Sequence, residues 1–343
     1  MKKLLSDKEL QSLRRRIAEA ERIVICAHVG PDGDAVGSSL ALRHWLSRQG
    51  KHADVLVPNR FPDFLRWMPG AQDIRVYNRC AEAARNLLRQ ADLMFIADLN
   101  ASGRLQEMEA DVLANPCHKV MIDHHLNPQD FCQTVISQPR MCATCEVLCH
   151  LLEQMGGLEH VSREEAICLY TGMMCDTGAF TYASSRPEVY ECVCRLLRCG
   201  IDKDRIYRNV FWTYSQARLR LQGYMLCEKM QVMDGLHAAL MTLTNEERIR
   251  FGAKYGDTEG FVNIPLTMSG MKLSVFLSED TEQAGLIKVS LRSVDDFPCD
   301  EMSARFFNGG GHRNASGGRI MGTMDEAVAR VGEAVRAYAD LLK

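Results

Sequence analysis

Three short apolar runs constrain this chain most, because each ends in the same kind of residue. Residues 23–27 lead into Ile25-Cys-Ala-His-Val-Gly-Pro-Asp-Gly-Asp34, a loop carrying His28, Asp32 and Asp34. Leu93-Met-Phe-Ile-Ala-Asp98 closes on an acid, and Lys119-Val-Met-Ile-Asp-His-His125 on an acid and two histidines. Asp176 comes later, in Thr171-Gly-Met-Met-Cys-Asp-Thr-Gly178. Runs of this length bounded by turn residues read as buried strands. Helix-like segments at 38–49, 81–90, 144–155 and 163–174 alternate with them, so the pattern predicts an α/β fold with a parallel, doubly wound sheet. In such sheets ligands bind beyond the carboxyl ends of the strands. A carboxylate at one strand end is an ordinary surface cap. Acids or histidines at three strand ends predict one shared crevice.

A length of 343 residues exceeds one typical core, and two domains are expected. A helix over 8–21 precedes the first strand; a further strand at 54–57 is followed by an irregular, Pro-containing stretch over 59–70. Arg186-Pro187 marks a break, and helices near 188–199 and 215–229 predict a helical connector. Beyond it, Asp234-Gly235 between 231–233 and 237–242 signals a hairpin. Residues 272–277 and 286–291 alternate in strand fashion, and 324–342 reads as a terminal amphipathic helix. The expected division is a metal-binding domain over 1–186, a connector over 187–229 and a smaller mixed-sheet α/β domain over 230–343.

Composition narrows the classes. Hydrophobic content of 46% and charged content of 25% suit a soluble globular protein. No run has the apolar length to span a bilayer, and Met1-Lys-Lys-Leu-Leu leads into charged helix rather than a signal segment, so no membrane partner and a cytoplasmic location are expected. Fourteen cysteines are scattered through helix-like and strand-like segments, which predicts reduced thiols. Cys142-Ala-Thr-Cys145, with Cys132 and Cys149 nearby, is a lone CxxC without a second pair; buried apolar cysteine is preferred over structural zinc. A net charge of −3 argues against long duplex nucleic acid as a partner. The one basic run, Arg14-Arg-Arg16, reads as a solvated helix face. The sequence leaves a homodimer open.

His28, Asp32, Asp34, Asp98, His124 and Asp176 make a candidate ligand set of four carboxylates and two imidazoles. Its charge of about −4 would be balanced by two divalent cations. Oxygen and nitrogen ligands without thiolate suit Mn2+, with Mg2+, Co2+ or Zn2+ as substitutes. Such a pair clamps the attacking and leaving oxygens of a phosphoryl displacement, and no nucleophilic Ser or Cys signature competes with that reading. An incoming phosphate also needs positive partners. His125 beside His124 is one, and Arg104, six residues past Asp98, is another. The strongest is Phe307-Asn-Gly-Gly-Gly-His-Arg-Asn-Ala-Ser-Gly-Gly318. Its consecutive glycines leave backbone N–H groups able to form an anion nest, with His312 and Arg313 as added donors.

Together these motifs resemble the DHH phosphoesterase superfamily, subfamily one, over nearly the whole chain. The resemblance rests on His28-x-x-x-Asp32-x-Asp34, Asp98, Asp123-His-His125 and Asp176. It extends to Gly309-Gly310-Gly311-His312 with Ala315-Ser316-Gly317, which match the signature of the DHHA1 domain. It implies one Mn2+ on His28, Asp32 and Asp98 and another on Asp34, His124 and Asp176, with Asp98 bridging. It also implies that Asp123 supports the metal histidine, that His125 contacts the scissile phosphate, and that the C-terminal domain holds the rest of the substrate. Leu99-Asn100 departs from the small or hydroxyl residues common after this acid.

Within the superfamily, length and the C-terminal motif point away from RecJ-like exonucleases and family II pyrophosphatases. They point toward the stand-alone group that degrades very short RNA and 3′-phosphoadenosine 5′-phosphate (pAp). The expected substrates are short RNA oligonucleotides, dinucleotides or pAp. A cyclic dinucleotide phosphodiesterase is the alternative enzyme, and a non-catalytic nucleotide sensor a third reading that the intact ligand set disfavours.

Overall fold

A computed structural model describes residues 3–157, 160–233, 235–254 and 256–343. The chain forms two compact units, Met1–Thr213 and Tyr214–Lys343. In the first, the elements are α1 (Asp7–Glu19), β1 (Ile23–Cys26), α2 (Gly33–Arg48), β2 (Ala53–Val57), β3 (Arg75–Val76), α3 (Ala81–Gln90), β4 (Leu93–Ala97), α4 (Glu109–Ala114), β5 (His118–Asp123), β6 (Thr134–Ser137), α5 (Thr144–Gln154), α6 (Arg163–Asp176), α7 (Pro187–Arg198) and α8 (Lys203–Phe211). The six strands form a wholly parallel sheet ordered β3-β2-β1-β4-β5-β6. Strand order reverses between β1 and β4, which is where a doubly wound sheet opens its crevice.

Alternation along the strands explains their unbroken apolarity. Ile23, Ile25, Phe95, Val120 and Ile122 pack on one face, with Leu40, Leu148 and Leu169 of α2, α5 and α6. Val24, Cys26, Met94, Ile96 and Met121 pack on the other, with Leu88 of α3 and Val112 of α4. Both faces are covered, so neither can be polar. Helices α2 and α6 approach closely because their contact is made of glycine. A Cβ on Gly37 would stand 2.6 Å from the Cys168 carbonyl, and one on Gly172 2.8 Å from an Asp34 oxygen. That crossing sets Asp34 against α6.

The second unit contains α9 (Gln216–Tyr224), β7 (Gln231–Met233), β8 (Ala238–Leu243), α10 (Asn245–Phe251), β9 (Leu273–Glu279), β10 (Leu286–Ser293), α11 (Cys299–Phe306), β11 (Gly310–His312), β12 (Ala315–Met321) and α12 (Met324–Ala337). Its sheet runs β11-β12-β10-β9-β8-β7, antiparallel except for the parallel β8–β9 pair. Leu240, Val275, Val289 and Leu291 pack on Met302, Val331 and Val335 of α11 and α12. The parallel sheet of the first unit and the mixed sheet of the second match the expected fold class.

Several boundaries differ from expectation. Helix α2 starts at Gly33 rather than near residue 38, because the Asp32 carboxylate caps it by accepting from the N–H groups of Asp34 and Ala35 at 2.9 and 3.0 Å. Asp34 is therefore a helical residue, not a loop residue. Strands β7 and β8 pair antiparallel, while Asp234 of the hairpin signal lies outside the described residues, as do Met1 and Lys2. The helices between Pro187 and Lys229 divide between the units, α7 and α8 in the first and α9 in the second. Among the described residues no helix is long and apolar enough to cross a membrane.

Candidate metal centre

The carboxyl ends of β1, β4 and β5 deliver His28, Asp98 and the 123–125 triplet to one place, and the ends of α2 and α6 add Asp34 and Asp176. His28, Asp32 and Asp98 form one group that could hold a metal ion; Asp34, His124 and Asp176 form a second. In each, the offered ligand atoms lie within 4.8 Å of one another. Asp98 faces both groups. Its Oδ2 is 3.3 Å from His28 Nε2 and its Oδ1 is 3.6 Å from His124 Nε2. His124 Nε2 is also 3.2 Å from Asp176 Oδ2 and 3.8 Å from Asp34 Oδ2.

The imidazoles are held in the tautomer a cation requires. His28 Nδ1 donates to the Val29 carbonyl at 2.8 Å, and His124 Nδ1 to the Met141 carbonyl at 3.1 Å. Each Nε2 then turns a lone pair toward carboxylate oxygens, an arrangement that a cation between them satisfies. His28 Nε2 is buried without a well-formed hydrogen bond. The titration behaviour has the same cause. Burial pushes the Asp34 carboxyl well above the usual carboxylate range, and the charges of Asp98 and Asp176 push it the same way. Burial acts on Asp98 too, but contact with His28 and the neighbouring charges of His125, His28 and His124 outweigh it and hold that carboxyl well below the range. Burial lowers His28, as does the Arg104 guanidinium, yet Asp98 and Asp32 raise it overall. Burial likewise lowers His124, against the stronger pull of Asp98 and Asp34. The crowded carboxylates draw positive charge onto the rings. Two divalent cations would supply that charge directly, so the donor set fits them.

The support around these residues comes mainly from α5, a helix expected over 144–155 but given no part in the site by the sequence. Its first N–H groups, from Thr144 and Cys145, donate to Asp34 Oδ2 and Oδ1 at 2.6 and 2.9 Å. A buried anion at a helix N-terminus is stabilised in this way. The Thr144 hydroxyl donates to Asp98 Oδ1 at 2.9 Å. Thr144 lies inside the CxxC, whose cysteines are buried thiols; no spacing rule marks it. Asp176 ends α6, where a carboxylate opposes the helix dipole, and Asp98 adopts φ +57°, which a side chain disfavours. Placements this costly are typical of functional positions.

Asp123 departs from expectation. Its carboxylate accepts from the backbone N–H and the ring Nδ1 of His125, at 3.0 and 2.8 Å. It therefore orients His125, and the His124 ring is steadied instead by the Met141 carbonyl, because adjacent residues leaving a strand end point to opposite sides. Arg104 sits beside the first group, its carbonyl accepting from Val29 N–H at 2.8 Å. The departure at Leu99-Asn100 is structural here: Leu99 is buried, and the Asn100 amide donates to the Leu126 carbonyl at 2.7 Å.

Gly309, Gly310, Gly311, His312, Arg313 and Ser316 form a group in the second unit, as a hairpin rather than an open loop. Gly310–His312 pairs with Ala315–Met321 across Arg313 and Asn314. Packing explains part of the glycine content. A Cβ on Gly309 would stand 1.8 Å from the Gly317 carbonyl, and one on Gly318 2.5 Å from Phe307 Cβ, whereas Gly310 faces open space. The Ser316 hydroxyl turns inward and donates to the Cys299 carbonyl at 2.7 Å, so that oxygen serves the fold rather than a ligand. Arg313 donates to the Asp296 carbonyl at 2.9 Å from an exposed position.

Comparison with known proteins bears on both units. Residues 22–173 match the DHH family N-terminal domain, and residues 237–339 match the DHHA1 domain. A bifunctional oligoribonuclease and PAP phosphatase NrnA of Thermus thermophilus is 30% identical over 92% of this chain and 89% of its own. A cyclic-di-AMP phosphodiesterase GdpP of Geobacillus thermodenitrificans is 24% identical over 95% of this chain, which spans only 49% of that longer protein. Among solved structures, an exopolyphosphatase-related protein from Bacteroides fragilis superposes with a TM-score of 0.93 at 49% identity, covering 100% of this chain and 99% of that one. Two family domains in the expected order, and a relative matched along nearly the full length of both chains, make this protein a member of the DHH family of phosphoesterases.

Proposed function

We propose that the protein is a two-metal phosphoesterase that hydrolyses short oligoribonucleotides, dinucleotides and pAp to mononucleotides. The observation that carries the chemistry is Asp98, whose two oxygens face two separate three-residue donor groups. His28, Asp32 and Asp98 would hold one cation and Asp34, His124 and Asp176 the other, with Mn2+ the best match to the mixed oxygen and nitrogen donors and Mg2+ or Co2+ as substitutes. When bound, the cations supply a nucleophile at neutral pH and neutralise charge on the phosphoryl group.

The chain's own groups do the rest. Thr144 and the α5 N-terminus hold Asp98 and Asp34 in place. Asp123 fixes the His125 ring so that it meets the scissile phosphate, and Arg104 adds positive charge beside the first group. The work divides between a catalytic part, residues 1–186, and a substrate-holding part, residues 230–343, with 187–229 connecting them. In the second part His312, with the Gly310 and Gly311 backbone, holds the remote phosphate or nucleotide. Binding energy spent there can be used at the reacting bond.

Support for the substrate class comes from the similarity to the Thermus oligoribonuclease and PAP phosphatase. The similarity to GdpP favours a second reading, cyclic or linear di-adenylate hydrolysis. Incubation with Mn2+ and a panel of pAp, dinucleotide RNA, longer RNA, cyclic di-AMP and polyphosphate, followed by mass spectrometry of the products, separates them. Mononucleotides from dinucleotides and AMP from pAp are expected. Selective turnover of cyclic di-AMP or polyphosphate would overturn the assignment.

A further inference from the structure

Helix α7 has two apolar faces, one of which the rest of the chain covers. Val189, Cys192 and Leu196 are buried and pack into the core of the first unit, beside α5 and α6. Two ion pairs fix the helix in that position. Arg186, which caps its N-terminus, binds Glu146, and Arg195 Nη1 lies 2.9 Å from Glu153 Oε1. On the other side Tyr190, Cys194 and Leu197 follow one another at i, i+4 and i+7, the spacing of a single helical stripe. All three face solvent, Tyr190 at 50% exposure and Leu197 at 37%. The Tyr190 ring rests on Phe180, their centroids 6.3 Å apart, so it is held on the surface in a fixed place.

Single exposed apolar side chains are ordinary on a protein surface, but a row of three on a fixed helix marks a contact. The charges beside the row identify what covers it. Glu191 and Arg198, seven positions apart, lie along the same flank of the stripe. Both are exposed, and neither forms an ion pair among the described residues. A Glu early and an Arg late also suit the dipole of α7, yet the dipole gives no reason for the apolar row beside them. A membrane surface or a nucleic acid would call for basic residues along the flank, and one charge of each sign suits neither. A second α7 running the opposite way does match. In an antiparallel helix pair each flank faces the same flank of its partner, so Glu191 of each chain meets Arg198 of the other while the apolar rows touch.

We propose that the outer face of α7 is an interface between two copies of this chain, paired antiparallel about a two-fold axis beside Cys194. Tyr190 and Leu197 supply the apolar anchors, and two symmetry-related Glu191–Arg198 pairs set the direction. The midpoint between positions 191 and 198 falls between Cys194 and Arg195. The two Cys194 residues therefore face each other across packed helices, whose axes lie about 8–10 Å apart. One stripe on a helix of 12 residues buries less surface than a permanent dimer does, so association with a Kd of about 1–100 μM is expected. The contact uses none of the metal-facing residues, and its test does not depend on which phosphoester the protein hydrolyses.

Sedimentation velocity of the full chain across that concentration range tests the pairing. A shift from monomer to dimer is expected, and a monomer throughout would overturn the proposal. Cross-linking then tests the geometry. A short bis-maleimide should join Cys194 of one chain to Cys194 of another, as located by peptide mapping, while the exposed Cys227 should react without linking chains. Dimers linked through Cys227, or through both cysteines without preference, would place the contact elsewhere and overturn the assignment. Leu197→Glu should weaken association about tenfold with an unchanged thermal melt, since the side chain faces solvent; unchanged association would remove α7 from the interface. Glu191→Arg and Arg198→Glu should each weaken it about fivefold, and the two together should restore it. A double variant that fails to recover would refute the antiparallel arrangement.

Discussion

The metal-facing end of the first sheet and the glycine hairpin of the second unit are both dense motifs, yet they are built on opposite terms. In the first, charged side chains are forced together and held by groups that hydrogen-bond them: the α5 N–H groups, Thr144, and the Val29 and Met141 carbonyls. In the hairpin, side chains are largely dispensed with, because Gly309 and Gly318 sit where a Cβ would collide with backbone. The difference teaches how to read a motif. Charged residues that oppose burial are kept for chemistry, whereas glycines can be kept by packing alone.

Five measurements press on that contrast, beginning with the largest effect. Chelation by EDTA should abolish phosphoester hydrolysis, and added Mn2+ should restore it; activity that survives thorough chelation would sink the two-metal reading. Asp98→Ala should cost about 1,000-fold in turnover, some 4 kcal/mol of transition-state stabilisation, and remove both bound metals with the fold intact by circular dichroism. Near-normal turnover with two metals bound would exclude a shared ligand.

Thr144→Val keeps the backbone bond to Asp34 but deletes the hydroxyl that reaches Asp98. A loss of about 10–100-fold in metal affinity, read from Mn2+ titration, is expected for such a supporting contact, and unchanged affinity would show that α5 acts through its backbone alone. The hairpin should respond in a different currency. Gly309→Ala should lower stability by about 1–3 kcal/mol through overpacking, while Gly310→Ala, facing open space, should stay within about 0.5 kcal/mol in thermal melts. Equal losses at both positions would mean that the turn, not the packing, demands glycine. His312→Ala, by contrast, should reduce efficiency on pAp or dinucleotides about tenfold more than on bis-p-nitrophenyl phosphate, since only the former reach a remote subsite. Equal reductions would make the hairpin structural throughout.

The sequence by itself determined the sheet and the acids that line its end. Alternating apolar runs and helices leave few packings other than a covered parallel sheet, and a strand that ends in Asp98 or Asp123 must deliver that residue to the sheet's carboxyl edge. Short or glycine-rich strands were not legible: Arg75–Val76, Thr134–Ser137 and Gly310–His312 have too few apolar positions to show a period. Tertiary structure alone decided which partner each polar group takes. Asp123 turns to His125 rather than His124, and Thr144 reaches Asp98 across 46 residues. Periodicity fixes the face on which a side chain lies, but a hydrogen bond depends on a few tenths of an ångström between elements, and only the packing of the whole unit sets that distance.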